Sequence, residues 1–180
     1  MEVFDVVFFS PPSRMINHYR PPVGLMYLSG YLVRKGLKVK IIDVVLDEQI
    51  RDKRFFENID QKIDYVHNRM IDEFKKIKTG IVGISCYTPE YFETLRLAKD
   101  IRKINESCKI IAGGIHPTFY PEEFLDLKER LIDFCVIGEG EITLWELVES
   151  LSDRNKKPLS SIQGIAYKQE GSNQFVFTEK

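Results

Sequence analysis

The chain has 180 residues, a formal net charge of -1, 43% hydrophobic and 29% charged residues. That suffices for one domain with a real core, with or without a small appendage, and the near-neutral balance excludes the basic footprint of a nucleic-acid or acidic-lipid binder. No apolar run approaches the ~20 residues of a membrane span and the start, Met1-Glu2-Val3-Phe4-Asp5, lacks a signal-peptide plan, so a cytoplasmic location is expected.

Val3 to Phe9 is a nearly continuous apolar run, as in a parallel strand covered on both faces, and Ser10-Pro11-Pro12-Ser13 stops it. After a polar loop, Pro21-Pro22-Val23-Gly24-Leu25 leads into a helix with Leu25, Leu28, Tyr31 and Leu32 at helical spacing. Pro22 is tolerated near its first turn, and Gly36 behind Arg34-Lys35 ends it. A second strand lies within Leu37 to Val45 and ends near Asp43. Residues 46 to 79 are charged. Phe55, Phe56, Ile59, Ile63, Val66, Met70, Ile71, Phe74 and Ile77 recur mostly at three and four, predicting one amphipathic helix or two, with His67 on the solvated side.

Ile81 to Ser85 is the third strand. Pro89-Glu90 opens a helix with Tyr91, Leu95, Ala98, Ile101 and Ile104 along one side and Thr88 as N-cap. Lys109 to Ala112 is the fourth strand, Pro121 to Leu127 a short helix and Asp133 to Ile137 the fifth strand. Glu141 to Leu151 is a helix with Ile142, Trp145 and Val148 facing inward. The repeated alternation predicts an α/β fold, a doubly wound five-stranded parallel sheet with right-handed crossovers. After Pro158, Ile162 to Tyr167 and Phe175 to Phe177 flank Glu170-Gly171-Ser172-Asn173, a β-hairpin appendage. The expected division is residues 1–157 for the α/β domain and 158–180 for the hairpin. The chain stops at Lys180 without a clear terminal element, as in a piece of a longer protein.

Four apolar runs end in loops that a parallel sheet gathers on one edge, where ligands of open α/β sheets bind. The stretch Ile110 to Thr118 is the most pronounced: Gly113-Gly114 lets a backbone approach a large ligand, or makes a tight turn. His116 behind it is a ligand contact or a structural hydrogen-bonder. Ser85 and Thr88 offer hydroxyls to a ligand rim or to a helix cap. Gly138-Glu139-Gly140-Glu141 places carboxylates at a helix start, for capping or beside a ligand. Phosphate-loop, dinucleotide and nucleophile-elbow motifs are absent. The cysteines (Cys86, Cys108, Cys135) have no metal or redox spacing and read as buried free thiols. No catalytic residue and no metal ligand is expected from this chain.

Taken together, Pro21 to Leu28, Gly36 to Asp43, Val82 to Ser85 with Thr88, Gly113 to Thr118, and Ile132-Asp133 to Glu141 resemble the N-terminal cobalamin (vitamin B12)-binding domain of cobalamin-dependent radical S-adenosylmethionine (SAM) enzymes. Ile162 to Tyr167 resembles the hairpin leading to their catalytic domain. The resemblance implies a flavodoxin-like, Rossmann-like sheet with cobalamin over its C-terminal strand edge. The implied cofactor contacts are Pro12, Gly24, Ser85, Thr88, Gly113, Gly114, His116, Pro117, Thr118, Gly138, Glu139 and Gly140. The Asp-x-His-x-x-Gly motif that ligates cobalt in mutases and methionine synthase is missing, Ser10-Pro11-Pro12-Ser13-Arg14 standing in its place, so cobalt is expected to lack an imidazole from that loop. The Cys-x-x-x-Cys-x-x-Cys motif for a [4Fe-4S] cluster is also absent. The chain is therefore expected not to be catalytic alone. It would carry cobalamin for methyl transfer or ring formation, with SAM and the iron-sulfur cluster in a radical SAM domain of the same full-length protein. The alternative is a degenerate docking or structural domain without cofactor. A third reading is a self-contained enzyme using His116 and Glu139 as acid and base.

Overall fold

Residues Val6–Phe9 form strand β2, every side chain of which is buried, and the rest of the sheet is built outward from it. The computed structural model describes residues 1–14, 21–44, 56–152, 154, 157–169, 171–172 and 174–179. The apolar run expected from Val3 to Phe9 is split. A two-residue strand β1 (Glu2–Val3) precedes β2 and pairs in parallel with β4 (Ile77–Lys78). The break falls at Phe4-Asp5, where the Asp5 carboxylate accepts the Lys38 N–H and the Asp5 N–H donates to the Lys38 carbonyl.

The other strands are β3 (Val39–Ile42), β5 (Ile81–Ser85), β6 (Lys109–Gly113), β7 (Phe134–Val136), β8 (Ile165–Lys168) and β9 (Phe175–Phe177). One seven-stranded sheet has the order β3-β2-β5-β6-β7-β8-β9. Its first five strands are parallel, in the 2-1-3-4-5 sequence of flavodoxin-like folds. The hairpin is no separate layer: β8 pairs antiparallel with β7 and carries the same sheet on to β9.

Helices cover both faces. Helix α1 (Val23–Arg34) and α6 (Glu141–Leu151) pack on one side, where Phe8, Leu25, Leu32, Ile111, Leu144 and Leu147 form a core. Helices α2 (Ile59–Lys75), α3 (Tyr91–Ile104), α4 (Ile115–Phe119) and α5 (Glu122–Leu125) occupy the other, around Phe9, Val66, Met70, Leu97, Ile110 and Phe124. The apolar stripe of α2 appears as expected from Ile63 to Phe74, while Phe55 lies outside the described residues.

Three sequence expectations are corrected. His67 is buried, not solvated: it sits on the i, i+3, i+4 stripe beside Val66 and Met70, and its Nε2 lies 2.9 Å from the Asp100 carboxylate of α3. Thr88 is not the N-cap of α3 but begins a 3-10 turn, Thr88–Glu90, whose cap position is Tyr87. In α6 the inward residues are Leu144, Leu147 and Val148. Trp145 is half-buried against the same core, and Ile142 is exposed. The thiols of Cys86, Cys108 and Cys135 are all free and buried. Among the described residues no helix is long and apolar enough to cross a membrane.

Candidate functional site

At the C-terminal ends of β5, β6 and β7, on the α1/α6 face, a cleft of about 400 Å³ opens. Strand pairing makes its floor. Phe8, Gly83, Ile111 and Phe134 stand in one cross-strand row. The edge of the Phe8 ring abuts Gly83, where a Cβ would meet the ring's Cδ1 and Cε1 at 2.6 Å. Leu25 and Leu28 of α1, Val136 and Leu144 complete an apolar floor, and the rim is formed by the strand-end loops.

The glycines of that rim serve two different needs. Gly114 has φ +102° and ψ -166°, a conformation essentially reserved for glycine, and a Cβ there would sit 2.9 Å from the Cys86 carbonyl oxygen. The fold itself requires glycine at this point. Gly24, inside the first turn of α1, has no described atom within 4 Å of its would-be Cβ outside its own helix backbone. Gly113 would meet only the Val136 Cβ, at 3.9 Å. Neither is demanded by packing, and both line the cleft. Bare backbone at these two positions keeps open a space that none of the described residues fills.

The rim loops are stitched to one another. Cys86 N–H donates to the Gly113 carbonyl at 2.8 Å, and His116 N–H to the Cys86 carbonyl at 3.2 Å. The Thr118 hydroxyl donates to the Gly114 carbonyl at 2.7 Å and accepts the Gly138 N–H at 3.0 Å. His116 is buried among Tyr91, Tyr120 and Phe124. Its Nε2 is 3.1 Å from the Glu123 carboxylate and its Nδ1 3.0 Å from the Thr88 hydroxyl. A carboxylate only accepts, so the proton is on Nε2 and Nδ1, in the neutral ring, accepts from Thr88.

Of the residues singled out in the sequence, Gly24, Ser85, Gly113, Gly114, Thr118, Gly138, Glu139 and Gly140 line the cleft together. Thr88 and His116 stand behind its wall, and Pro12 and Pro117 are buried away from it. Tyr27, Tyr87, Ile115 and Phe119 were not anticipated. They line the cleft yet are exposed, Tyr27 and Phe119 at 71%. For Ile115 and Tyr87 the signal was available: large apolar residues directly after Gly114 and Cys86, where a solvated loop would be polar. His18 lies outside the described residues, and among those described no group of three or more His, Cys, Asp and Glu side chains can hold a metal ion.

A cleft kept open by glycine at the carboxyl ends of a 2-1-3-4-5 sheet belongs to a fold with known relatives. The chain is 34% identical over 177 residues to an uncharacterized methyltransferase of Pyrococcus horikoshii, covering 95% of this chain and 34% of that protein. It is 26% identical to the anaerobic magnesium-protoporphyrin IX monomethyl ester cyclase of Synechocystis, covering 92% of this chain and 31% of that one. Among solved structures, the radical SAM methyltransferase TsrM of Kitasatospora setae superposes with a TM-score of 0.70 at 19% identity, over 99% of this chain and 30% of that one. The cobalamin-dependent radical enzyme OxsB, solved with aqua-cobalamin and SAM bound, gives 0.71 at 22% identity, over 97% of this chain and 22% of that one. The chain thus spans about a third or less of these proteins. The profile of the B12 binding domain matches residues 15–148, three quarters of the sequence and every loop of the cleft, and the chain belongs to that family.

Proposed function

We propose that this chain binds cobalamin at the C-terminal strand edge and serves as the cofactor-carrying part of a cobalamin-dependent radical SAM protein. The single observation that carries the reading is the cleft whose glycines at 24 and 113 are free of any packing demand. A helix pays for Gly24, since glycine costs up to ~1 kcal/mol there relative to alanine, and no described residue uses the space released. A large, flat, amide-fringed cofactor does. The apolar floor of Phe8, Leu28, Ile111 and Val136 takes an apolar portion of it and excludes water, while backbone groups of the rim loops meet its polar edge.

Bound cobalamin supplies a cobalt centre able to carry a methyl group or exchange electrons. This chain contributes binding and orientation. His116 and His67 are buried with their Nε2 atoms paired to carboxylates, and the segment Ser10 to Arg14 contains no histidine, so we assign cobalt no imidazole from these positions. Glu139 lines the cleft but stands apart from His116, which is held behind the wall. That argues against an acid/base pair and for a carrier that needs a further domain. In this reading SAM and a [4Fe-4S] cluster reside in the part of the full-length protein beyond this chain, for methyl transfer or ring formation.

The test is a titration of the purified chain with hydroxocobalamin and methylcobalamin, followed by visible absorbance and gel filtration. Co-elution of cobalamin, with a spectrum free of histidine ligation, is expected. Failure of both this chain and the full-length protein to retain either cobalamin would overturn the reading in favour of a docking domain.

A further inference from the structure

The cleft carries charge of one sign. Among the described residues that line it, the charged side chains are Glu139 and Glu141, and none is Lys, Arg or His. Neither carboxylate has a hydrogen bond or ion pair to a described residue. The two differ in why they are there. Glu141 is the first residue of α6, where the positive end of the helix dipole accounts for a carboxylate whatever lies in the cleft. Glu139 precedes the helix and is exposed at the cleft wall, on a loop whose shape is set on both sides of it. Gly138 has φ +78°, in the left-handed region that favours glycine, and its N–H donates to the Thr118 hydroxyl at 3.0 Å. At Gly140 a Cβ would meet the Leu28 side chain at 3.3 Å. The loop thus presents a fixed, unpaired negative charge to a ligand-sized space.

What such a rim accepts follows from donor and acceptor chemistry. An ionised carboxylate only accepts hydrogen bonds. A primary amide brings N–H donors to it, and charge-assisted bonds of this kind are about twice as strong as neutral ones. A carboxylate at the same place on the ligand brings no donor and a like charge, above an apolar floor where such repulsion is stronger than in water. Several rim donors are also engaged already: the N–H groups of Cys86, Tyr87, His116, Thr118 and Gly138 all bond within the protein, so they are not free for a ligand anion. Opposed like charges are a common means of rejecting a wrong partner.

We propose, resting on the cobalamin reading above, that Glu139 is a specificity-determining residue of the cleft. Its carboxylate accepts amide N–H groups of the cofactor's fringe and, with Glu141, rejects macrocycles that present a carboxylate there. The phosphodiester of cobalamin, its own anionic group, must then lie clear of this rim.

The experiment measures affinity at neutral pH for hydroxocobalamin and for its monocarboxylic acids, in each of which one propionamide is hydrolysed. The parent chain, Glu139→Gln and the Glu139→Gln/Glu141→Gln double variant are compared, with thermal melting as a control. At least one acid should bind the parent about tenfold more weakly than hydroxocobalamin. In Glu139→Gln, hydroxocobalamin should weaken about threefold while that acid binds no more weakly than before, so the ratio falls to about threefold or less. The double variant should bring it within twofold, and the melting temperature of Glu139→Gln should match the parent's. Should the double variant not fold, Glu139→Gln alone carries the comparison. Acids that all bind the parent within twofold of hydroxocobalamin overturn the inference, as does a tenfold ratio that survives in the variants, and both results leave the cobalamin reading standing. A parent chain that takes up no hydroxocobalamin, with the full-length protein equally inert, overturns both.

Discussion

The two faces of the sheet are built on opposite principles. The face under α2 to α5 is closed, and it spends polar groups on closure: His67 reaches Asp100, Glu93 holds Arg14, and His116 links Thr88 to Glu123. The face under α1 and α6 is apolar, and toward the carboxyl ends of the strands it is left open by glycine. The lesson is that the buried polar side chains, which draw attention in the sequence, mark the closed face. The open face is marked by what is absent, side chains at positions 24 and 113.

The largest expected effect breaks the stitching between the faces. Gly114→Ala puts a Cβ against the Cys86 carbonyl at a backbone angle reserved for glycine. It should cost on the order of 3 kcal/mol, read as a lower denaturant midpoint with unchanged slope. A midpoint within error of the parent would show that the Gly114 turn relaxes freely. Next comes Gly24→Leu, whose Cβ would meet no described atom within 4 Å outside its own helix backbone. The chain should melt at the same temperature or higher, and hydroxocobalamin uptake should fall by about tenfold or more, a loss of ~1.4 kcal/mol of binding. A variant that melts lower but binds normally would remove Gly24 from the ligand surface. Together the two glycines separate a residue kept for the fold from one kept for the ligand.

On the closed face, burial pushes the Asp100 carboxyl up, but Lys103 and His67 outweigh it and hold the group below its ordinary value. A carboxylate depressed in the folded state contributes stability above its unfolded pKa and loses it as pH falls through the folded one. Asp100→Asn should therefore be about 1 kcal/mol less stable at neutral pH, with the gap closing below the usual carboxylate range. A gap that persists in acid would mean that shape, not charge, joins α2 to α3.

The elements of the open face were the more legible in the sequence. Helix α6 was read with its observed bounds, Gly36 follows α1 as its stop, and Ile81 to Ser85 is strand β5 as expected, because each is fixed by local periodicity and turn chemistry. The errors arise where partners are distant in the chain. The hairpin is present as expected, and only its attachment was hidden, because nothing local reveals that Tyr167 will pair with Phe134. Helix α4 read as a loop because Pro117 and a polar cluster mask a single turn started by Gly114. His67 read as solvated because its neighbours Asn68 and Arg69 are polar, although its spacing from Ile63 and Ile71 placed it on the buried stripe. For the site, strand-end glycines were legible as backbone that must lie bare. The side-chain partners of His116 were not, since Thr88 and Glu123 come from separate segments that only the packed fold brings together.

The smallest expected effect lies at Glu90, where the two faces meet behind Tyr87. Burial raises its carboxyl above the ordinary value, and the Tyr87 N–H and the Ser13 hydroxyl only partly offset this. The sign is opposite to that of Asp100. Between the unfolded and the raised folded pKa the native state binds the extra proton, so stability falls as pH rises through that window and stays reduced above it. Glu90→Gln keeps an oxygen for both hydrogen bonds and removes the buried charge. It should be more stable than the parent at neutral pH by a few tenths to about 1 kcal/mol, with the two chains converging below the usual carboxylate range. A Glu90→Gln chain that is less stable at neutral pH would show that the ionised carboxylate is needed to hold Ser13 and Tyr87, and would make Glu90 an anchor of the cleft wall at Tyr87.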